Sequence, residues 1–354
     1  MSLEFKNIIK IASIYMATII GAGFASGQEI IQFFSMYYEG GFYGIIFAGF
    51  LFSVIGYIVL DKVYIERINN YDEFIFPTLG WFFGWIVETV VTIFMLCLFC
   101  IMIAGAGDVL TEKIGIPLKY SVLVMSILCL IFIMSNIKGI VNLSSIVTPI
   151  LVAGILTVGF YIIISKDKLV FNAVDYFNNI TGNWFFSSLI YVSYNSIMSV
   201  IVMCSLLPYL KTRRTGRIGG ILGGAMLCIV ALVMNTVLYF FYPGHTKSEL
   251  PVLSIVGKFS SFAGGLYAIV LWLAMLVSAV TSGFCFVDRI GGKVKVDRRL
   301  LVIILCAAAV PLSTLGFSKL IVAIYPVFGY IGLFMIFCII IQGLGLIKNT
   351  WKKT

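Results

Sequence analysis

An all-α integral membrane protein with about ten transmembrane helices is the fold class this sequence predicts, and three observations predict it. The chain of 354 residues is 61% hydrophobic and only 11% charged, with a mean hydropathy of +1.10. A soluble domain of that length could neither bury nor expose so much apolar surface. Its apolar residues form long unbroken runs between charge clusters, each near the roughly 20 residues that cross a bilayer core as a helix. The runs do not alternate over about ten residues, so a membrane β-barrel is excluded. The third observation is the bias of the basic residues, taken up below.

The first run, Ile8 to about Tyr38, contains Gly21-Ala22-Gly23-Phe24-Ala25-Ser26-Gly27-Gln28-Glu29. Glycine lowers helix stability by about 1 kcal/mol relative to alanine, and a carboxylate near mid-bilayer costs roughly 2.5–3.5 kcal/mol on insertion scales. This segment is expected to break around a polar cavity. The remaining runs are Phe42 to Leu60, Trp81 to Ala106, Tyr120 to Ile137, Val141 to Ser165, Trp184 to Tyr209, Ile218 to Tyr242, Gly264 to Val287, Leu300 to Leu315 and Leu320 to Ile347. Short surface helices are expected within the connections Lys166 to Asn183 and Pro243 to Phe262, and the second is placed to act as a lid.

With the N-terminus inside, 17 of the 24 basic residues fall on inner segments: Lys6, Lys10, Lys62, Arg67, Lys138, Lys211, Arg213, Arg214, Arg217, Arg289, Lys293, Lys295, Arg298, Arg299, Lys348, Lys352 and Lys353. The other seven, Lys113, Lys119, Lys166, Lys168, Lys247, Lys258 and Lys319, fall outside. That asymmetry predicts an even helix number with both termini cytoplasmic, and it accounts for the net charge of +9 without a nucleic-acid partner. The first run is too long and glycine-broken for a cleaved signal peptide.

The eight cysteines lie at helix or packing depth, and Cys97 and Cys100 are expected to be two small side chains on one helix face. His245, in Pro243-Gly244-His245, has no cluster that would make a metal site. No paired aspartates, Ser–His set or HExxH motif suggests an enzyme.

No linker or soluble domain interrupts the chain, so residues 1–354 form one membrane domain. A split into two inverted repeats of five helices, about 8–165 and 184–347, makes the sixth helix the counterpart of the first. The sixth carries Tyr191-Val192-Ser193-Tyr194-Asn195-Ser196 at a similar depth, and helices one and six are both expected to be interrupted.

These features, with Ser278-Ala279-Val280-Thr281-Ser282 in the eighth helix, resemble the LeuT fold of the amino acid–polyamine–organocation superfamily. The G-A-G-F-A-S-G-Q-E run is similar to that of the small bacterial permeases called YkvI-like. The resemblance implies a secondary transporter of the bacterial cytoplasmic membrane that moves a small amino acid or related amine by alternating access. Substrate would be bound by Gly21, Ala22, Gly23, Phe24, Ala25, Ser26 and Gly27 of the break, with Tyr191, Ser193, Tyr194 and Asn195. Free N–H groups at the break would receive a carboxylate and free carbonyls an ammonium group or sodium ion. Close packing through Gly23 and Gly27 is the structural alternative.

Ser26 and Glu29 also form an S-x-x-E capping box, which competes with a proton-carrying or substrate-binding role for Glu29. Ser278, Thr281 and Ser282 recur at i, i+3 and i+4; joined to the carbonyls of Ala17 and Ile20, they are what the resemblance implies as a sodium site. Back-bonding of these hydroxyls to their own helix is the alternative. Val141 to Ser165 has no ionisable residue, which favours sodium over a lysine-based proton mechanism and leaves Glu29 and Glu88 as proton-coupling candidates. A partner such as Thr92 is the structural reading of Glu88. Asp108 is expected at a helix end, and Trp81, Trp85, Trp184 and Trp351 in an interface belt. No organic cofactor is implied, only a possible Na+. A receptor of the same fold, like the membrane subunits of spore-germinant receptors, is the competing function and would need protein partners.

Overall fold

The computed structural model describes residues 3–134, 138–164, 183–241, 248–292, 294 and 296–351, and among them the regular structure is entirely helical. The first run folds as three pieces, α1 (Leu3–Ile19), α2 (Ala22–Ser26) and α3 (Gln28–Phe33), followed by a 3-10 turn at Ser35–Tyr37. There follow α4 (Glu39–Glu66), α5 (Tyr71–Ile114), α6 (Leu118–Met134), α7 (Lys138–Ile164), α8 (Trp184–Cys204), α9 (Arg213–Phe241), α10 (Pro251–Phe259), α11 (Ser261–Gly291), α12 (Arg298–Ser313) and α13 (Phe317–Trp351).

Six helices among the described residues are long and apolar enough to cross a membrane: α4, α5, α8, α9, α11 and α13. Leu118–Met134 and Pro149–Ile164 are shorter apolar helices. With mostly apolar side chains such as Trp81, Phe82, Ile164 and Phe262 exposed on the exterior, this is a multi-pass membrane protein.

Local chemistry sets the boundaries. Asn70 caps α5 by accepting from the Glu73 N–H, while the Glu73 carboxylate accepts from the Asn69 N–H at 2.8 Å, a reciprocal cap. Gly80, at φ 79°, then breaks α5, so its long apolar part starts at Trp81 as the sequence predicts. The described part of the 243–262 connection contains the expected short helix, α10, with Pro251 in its first turn. Residues 165–182, and the turn holding His245, lie outside the described residues.

The sequence reading does not anticipate how α9 packs. Gly216, Gly219, Gly220, Gly223 and Gly224 recur every three or four residues and make one smooth stripe. A Cβ on Gly220 would strike the backbone of Gly56 in α4, and one on Gly219 would meet Ile11 of α1. The stripe therefore seats α9 against both helices at backbone distance. At one end of this contact Asp61 accepts from Arg213 (2.7 and 2.9 Å) and from Arg217 (2.8 and 3.1 Å).

Lys62 is not a loop charge. It is buried, donating to Thr78 (2.8 Å) and Gln342 (2.6 Å), and so ties α4 to α5 and α13. Glu88 pairs with Arg289 of α11, and Thr92 donates to the Glu88 backbone carbonyl.

Candidate functional site

The first segment breaks twice. At the first break the Gly21 N–H turns to the carbonyl of Ile19 (2.9 Å), so Ala17 loses its ordinary helical donor four residues on. At the second, Gly27 takes φ 89° between α2 and α3. A side chain there would be strained in the left-handed region and would also collide with Val252 of α10.

The expected capping box does not form. Gly27, with no side-chain cap, is the N-cap of α3, and the Ser26 hydroxyl donates to the Gly23 carbonyl at 2.7 Å. Left-handed Gly27 turns the chain between Ser26 and Glu29 and separates the two groups a box needs. Nor is the expected carboxylate-receiving helix end built. The pieces beyond the first break are five and six residues long, too short to sum a useful dipole, and a carboxylate already lies there.

That carboxylate belongs to Glu29, which is 4% exposed. It folds back over Gly23 so closely that a Cβ on Gly23 would clash with its Oε1. The hydroxyl of Tyr194 on α8 donates to its Oε2 at 2.6 Å, and the hydroxyl of Tyr325 on α13 also addresses it. Around it the rings of Tyr194 and Tyr325 lie 4.6 Å apart by centroids, Tyr191 and Tyr194 5.6 Å, Phe33 and Tyr194 5.4 Å, and Phe94 and Tyr325 6.3 Å. The broken segment, α5, α8 and α13 thus converge on one buried carboxylate inside an aromatic box.

The predicted residues divide in this frame. Tyr191 and Tyr194 face the break, and the Ala25 carbonyl accepts from Tyr267 of α11 at 2.7 Å. Gly21, by contrast, has open space where a Cβ would go. Ser193 does not face the break. It packs against Gly332 of α13, and its hydroxyl donates to the Leu189 carbonyl. Asn195 donates to the Tyr191 carbonyl at 3.1 Å.

The expected interruption of the sixth helix is likewise absent: α8 runs unbroken from Trp184 to Cys204. At its centre Ser193, Asn195 and Ser196 bond back to carbonyls of their own helix, and no Gly or Pro lies inside it.

Of the three hydroxyls on α11, Ser282 is buried and donates to the Ser278 carbonyl at 2.8 Å, Ser278 is half-buried and Thr281 is exposed. At i, i+3 and i+4 they span an arc of about 100°, and only its Ser282 edge turns inward. Among the described residues no hydrogen bond joins them to Ala17 or Ile20. Helix α11 packs on α2, whereas α1 packs chiefly on α8 and α9. Glu88 lies away from the box in its pair with Arg289. Asp108 accepts from the Phe317 N–H (3.1 Å) and so caps α13.

A cover closes one end of the site. The Gln28 amide donates to the carbonyls of Ser248 (2.8 Å) and Glu249 (3.1 Å), just ahead of α10, and the Glu249 carboxylate accepts from the Ser318 N–H at 2.6 Å.

The fold, with its first helix broken beside a buried carboxylate, is shared with solved LeuT-fold transporters. Solved structures with that fold align over nearly the whole chain. A manganese transporter mutant from Eremococcus coleocola has a TM-score of 0.64 at 13% identity, covering 94% of this chain and 78% of its own. A Na+-coupled sialic acid symporter in a substrate-bound outward-open state gives 0.54 at 13%, covering 94% and 84%. Inward-facing Mhp1 gives 0.53 at 12%, covering 92% and 73%. These structures are of transporters, not enzymes, and the chain has the LeuT fold.

Among curated proteins it is similar to two from Bacillus subtilis (strain 168). The uncharacterized membrane protein YkvI is 26% identical over 330 residues, 92% of each chain. The uncharacterized protein YyaD is 26% identical over 338 residues, 95% of this chain and 96% of its own. No protein-family model matches the chain.

Proposed function

We propose that this protein is a secondary transporter that moves a small amino acid or related amine across the bacterial cytoplasmic membrane by alternating access, with both termini cytoplasmic. The observation that carries the reading is the doubly broken first segment, whose Glu29 carboxylate lies under Tyr194 and Tyr325 at the meeting point of α5, α8 and α13. Such a break is tolerated in a membrane only where it is buried in protein or lines a polar cavity, and here it closes around a carboxylate. The repeats, about 8–165 and 184–347, would rock around this point, with α10 as the outer lid.

Sodium is the coupling ion of this reading, held near Ala17, Ile20, Ser278 and Ser282. The Ala17 carbonyl without its helical donor supports that placement, and so does the Ser282 hydroxyl, whose lone pairs stay available while it donates to Ser278. A specific observation also supports proton coupling. Glu88 is engaged by Arg289, which leaves Glu29 as the carboxylate at the centre free of an ion pair among the described residues.

Thermal stabilisation of the purified protein by an amino-acid and amine panel, in sodium or potassium, tests the reading before flux is attempted. Stabilisation only with sodium, lost in Ser282→Ala but kept in Thr281→Ala, is the expected result. Sodium-blind stabilisation, or sodium dependence intact in Ser282→Ala, removes the sodium site. Stabilising ligands that never cross in proteoliposomes would make the protein a receptor of the same fold.

A further inference from the structure

Resting on the transport reading above, we infer that Glu29 is an exchange site at which the ammonium group of a cationic organic amine replaces a proton, so that the substrate class is net-positive amines and not zwitterionic amino acids.

The groups around Glu29 are unusually uniform. Helix α8 presents Tyr191 and Tyr194, α13 presents Tyr325, and α5 presents Phe94. From α11, Tyr267 is committed to the Ala25 carbonyl, and the side chains that α9 and α10 bring to Gly27, two residues before Glu29, are Leu238 and Val252. Within the broken segment Phe33 joins the box, while Gln28 is committed to carbonyls beside α10. Among the described residues no lysine, arginine or histidine pairs with Glu29, and the titratable side chains around it are the tyrosines of α8 and α13.

A carboxylate in such surroundings must be neutralised by a proton or by a cation that enters the site. Two features favour an ammonium group as that cation. The faces of Tyr191, Tyr194, Tyr325, Phe33 and Phe94 carry negative quadrupole density, which attracts an ammonium ion and repels a second carboxylate. The Tyr191 hydroxyl, 1% exposed, has no hydrogen-bond partner among the described residues and can accept an ammonium N–H. A zwitterion would bring its own carboxylate beside Glu29, and like charges at close range in a dry site repel strongly.

The exchange balances simply. The O–H bond of the Glu29 carboxylic acid breaks, its proton goes to water, and the incoming ammonium ion, keeping all its own protons, pairs with the carboxylate left behind. No electrons move. The stoichiometry is one proton out for each amine bound, so this half of the cycle is an exchange.

Dicyclohexylcarbodiimide, which adds to protonated carboxyl groups in apolar surroundings, tests this on the full chain in lipid nanodiscs. Labelled peptides are read by mass spectrometry, with methylammonium, ethanolamine, putrescine and choline as protectants and with sodium chloride, alanine and leucine for comparison. Glu29 should be labelled near neutral pH, not labelled in Glu29→Gln, and protected about tenfold by an amine present at ten times its dissociation constant. Tyr194→Phe, which keeps the carboxyl and the ring, should remain labelled with weaker protection.

An unlabelled Glu29, protection by sodium alone, protection by alanine or leucine but no amine, or indifference to every amine would each overturn the exchange. Protection by an amine that is not taken up by proteoliposomes would leave the exchange standing and overturn the transport reading. Uptake of a zwitterion with Glu29 unprotected would do the reverse.

Discussion

The first segment and α8 hold equivalent places in the two expected repeats, and both carry a polar cluster at mid-length, yet one is broken twice and the other not at all. The difference lies in where the polar groups can turn. In α8 the Ser193, Asn195 and Ser196 side chains reach carbonyls of the preceding turn, so the helix satisfies them itself. In the first segment Gly21 and Gly27 let the backbone leave the helix, and Glu29 finds its partners on other helices. In this pair, the polar cluster flanked by glycines sits in a broken helix and the one without glycine in a continuous helix.

Four substitutions test this contrast, in decreasing size of effect. Gly23→Leu should be the most severe, because a side chain there displaces the Glu29 carboxylate, and overpacking of this kind costs about 1–3 kcal/mol. Its readout is loss of all ligand-induced thermal stabilisation. Retained binding with poor expression would assign Gly23 to packing alone.

Tyr194→Phe comes next. It removes a hydroxyl from a buried carboxylate and should destabilise by about 1–3 kcal/mol, measured by thermal unfolding in matched detergent. Gly27→Ala should cost about 1–2 kcal/mol through the left-handed conformation and should move Val252, shifting the protease susceptibility of the α10 connection. An unchanged melting temperature would mean the second break is not rigid. Ser196→Ala in α8 should change stability by less than about 0.5 kcal/mol, since its hydroxyl bonds a carbonyl the helix already uses. A large loss there would show that α8 depends on its polar cluster after all.

Much of the fold was legible. Among the described residues each of the ten apolar runs falls on a helix or a helical group, six of which are long and apolar enough to cross a membrane; the long apolar part of α5 starts at Trp81 after Gly80, and the expected short helix ahead of α11 is α10. The first break was legible because three glycines and a glutamate contradict a lipid-facing helix. The direction of Glu29 was not, because left-handed Gly27 undoes the capping box that local spacing suggests.

Tyr325 and Phe94 were missed for a different reason. In a long apolar run an aromatic residue reads as packing or lipid contact, and only the fold brings α5 and α13 to the break. Tyr325 did carry a signal, a hydroxyl in mid-span just before Pro326. The α9 glycine stripe was also plain in the sequence, with its regular spacing, but its use depends on which neighbours it meets. For Lys62 the sequence misleads, since a lysine beside a run of apolar residues reads as a flanking charge and is in fact a buried strut.

Gln28 and Glu29 are consecutive residues on a helix only six residues long. One grips the chain that leads into α10, and the other holds the charge at the centre. A helix that short is a single rigid piece, so a rotation that frees Gln28 from the cover would also change the direction of the Glu29 carboxylate. The latch and the charge of this site are cut from the same short rod.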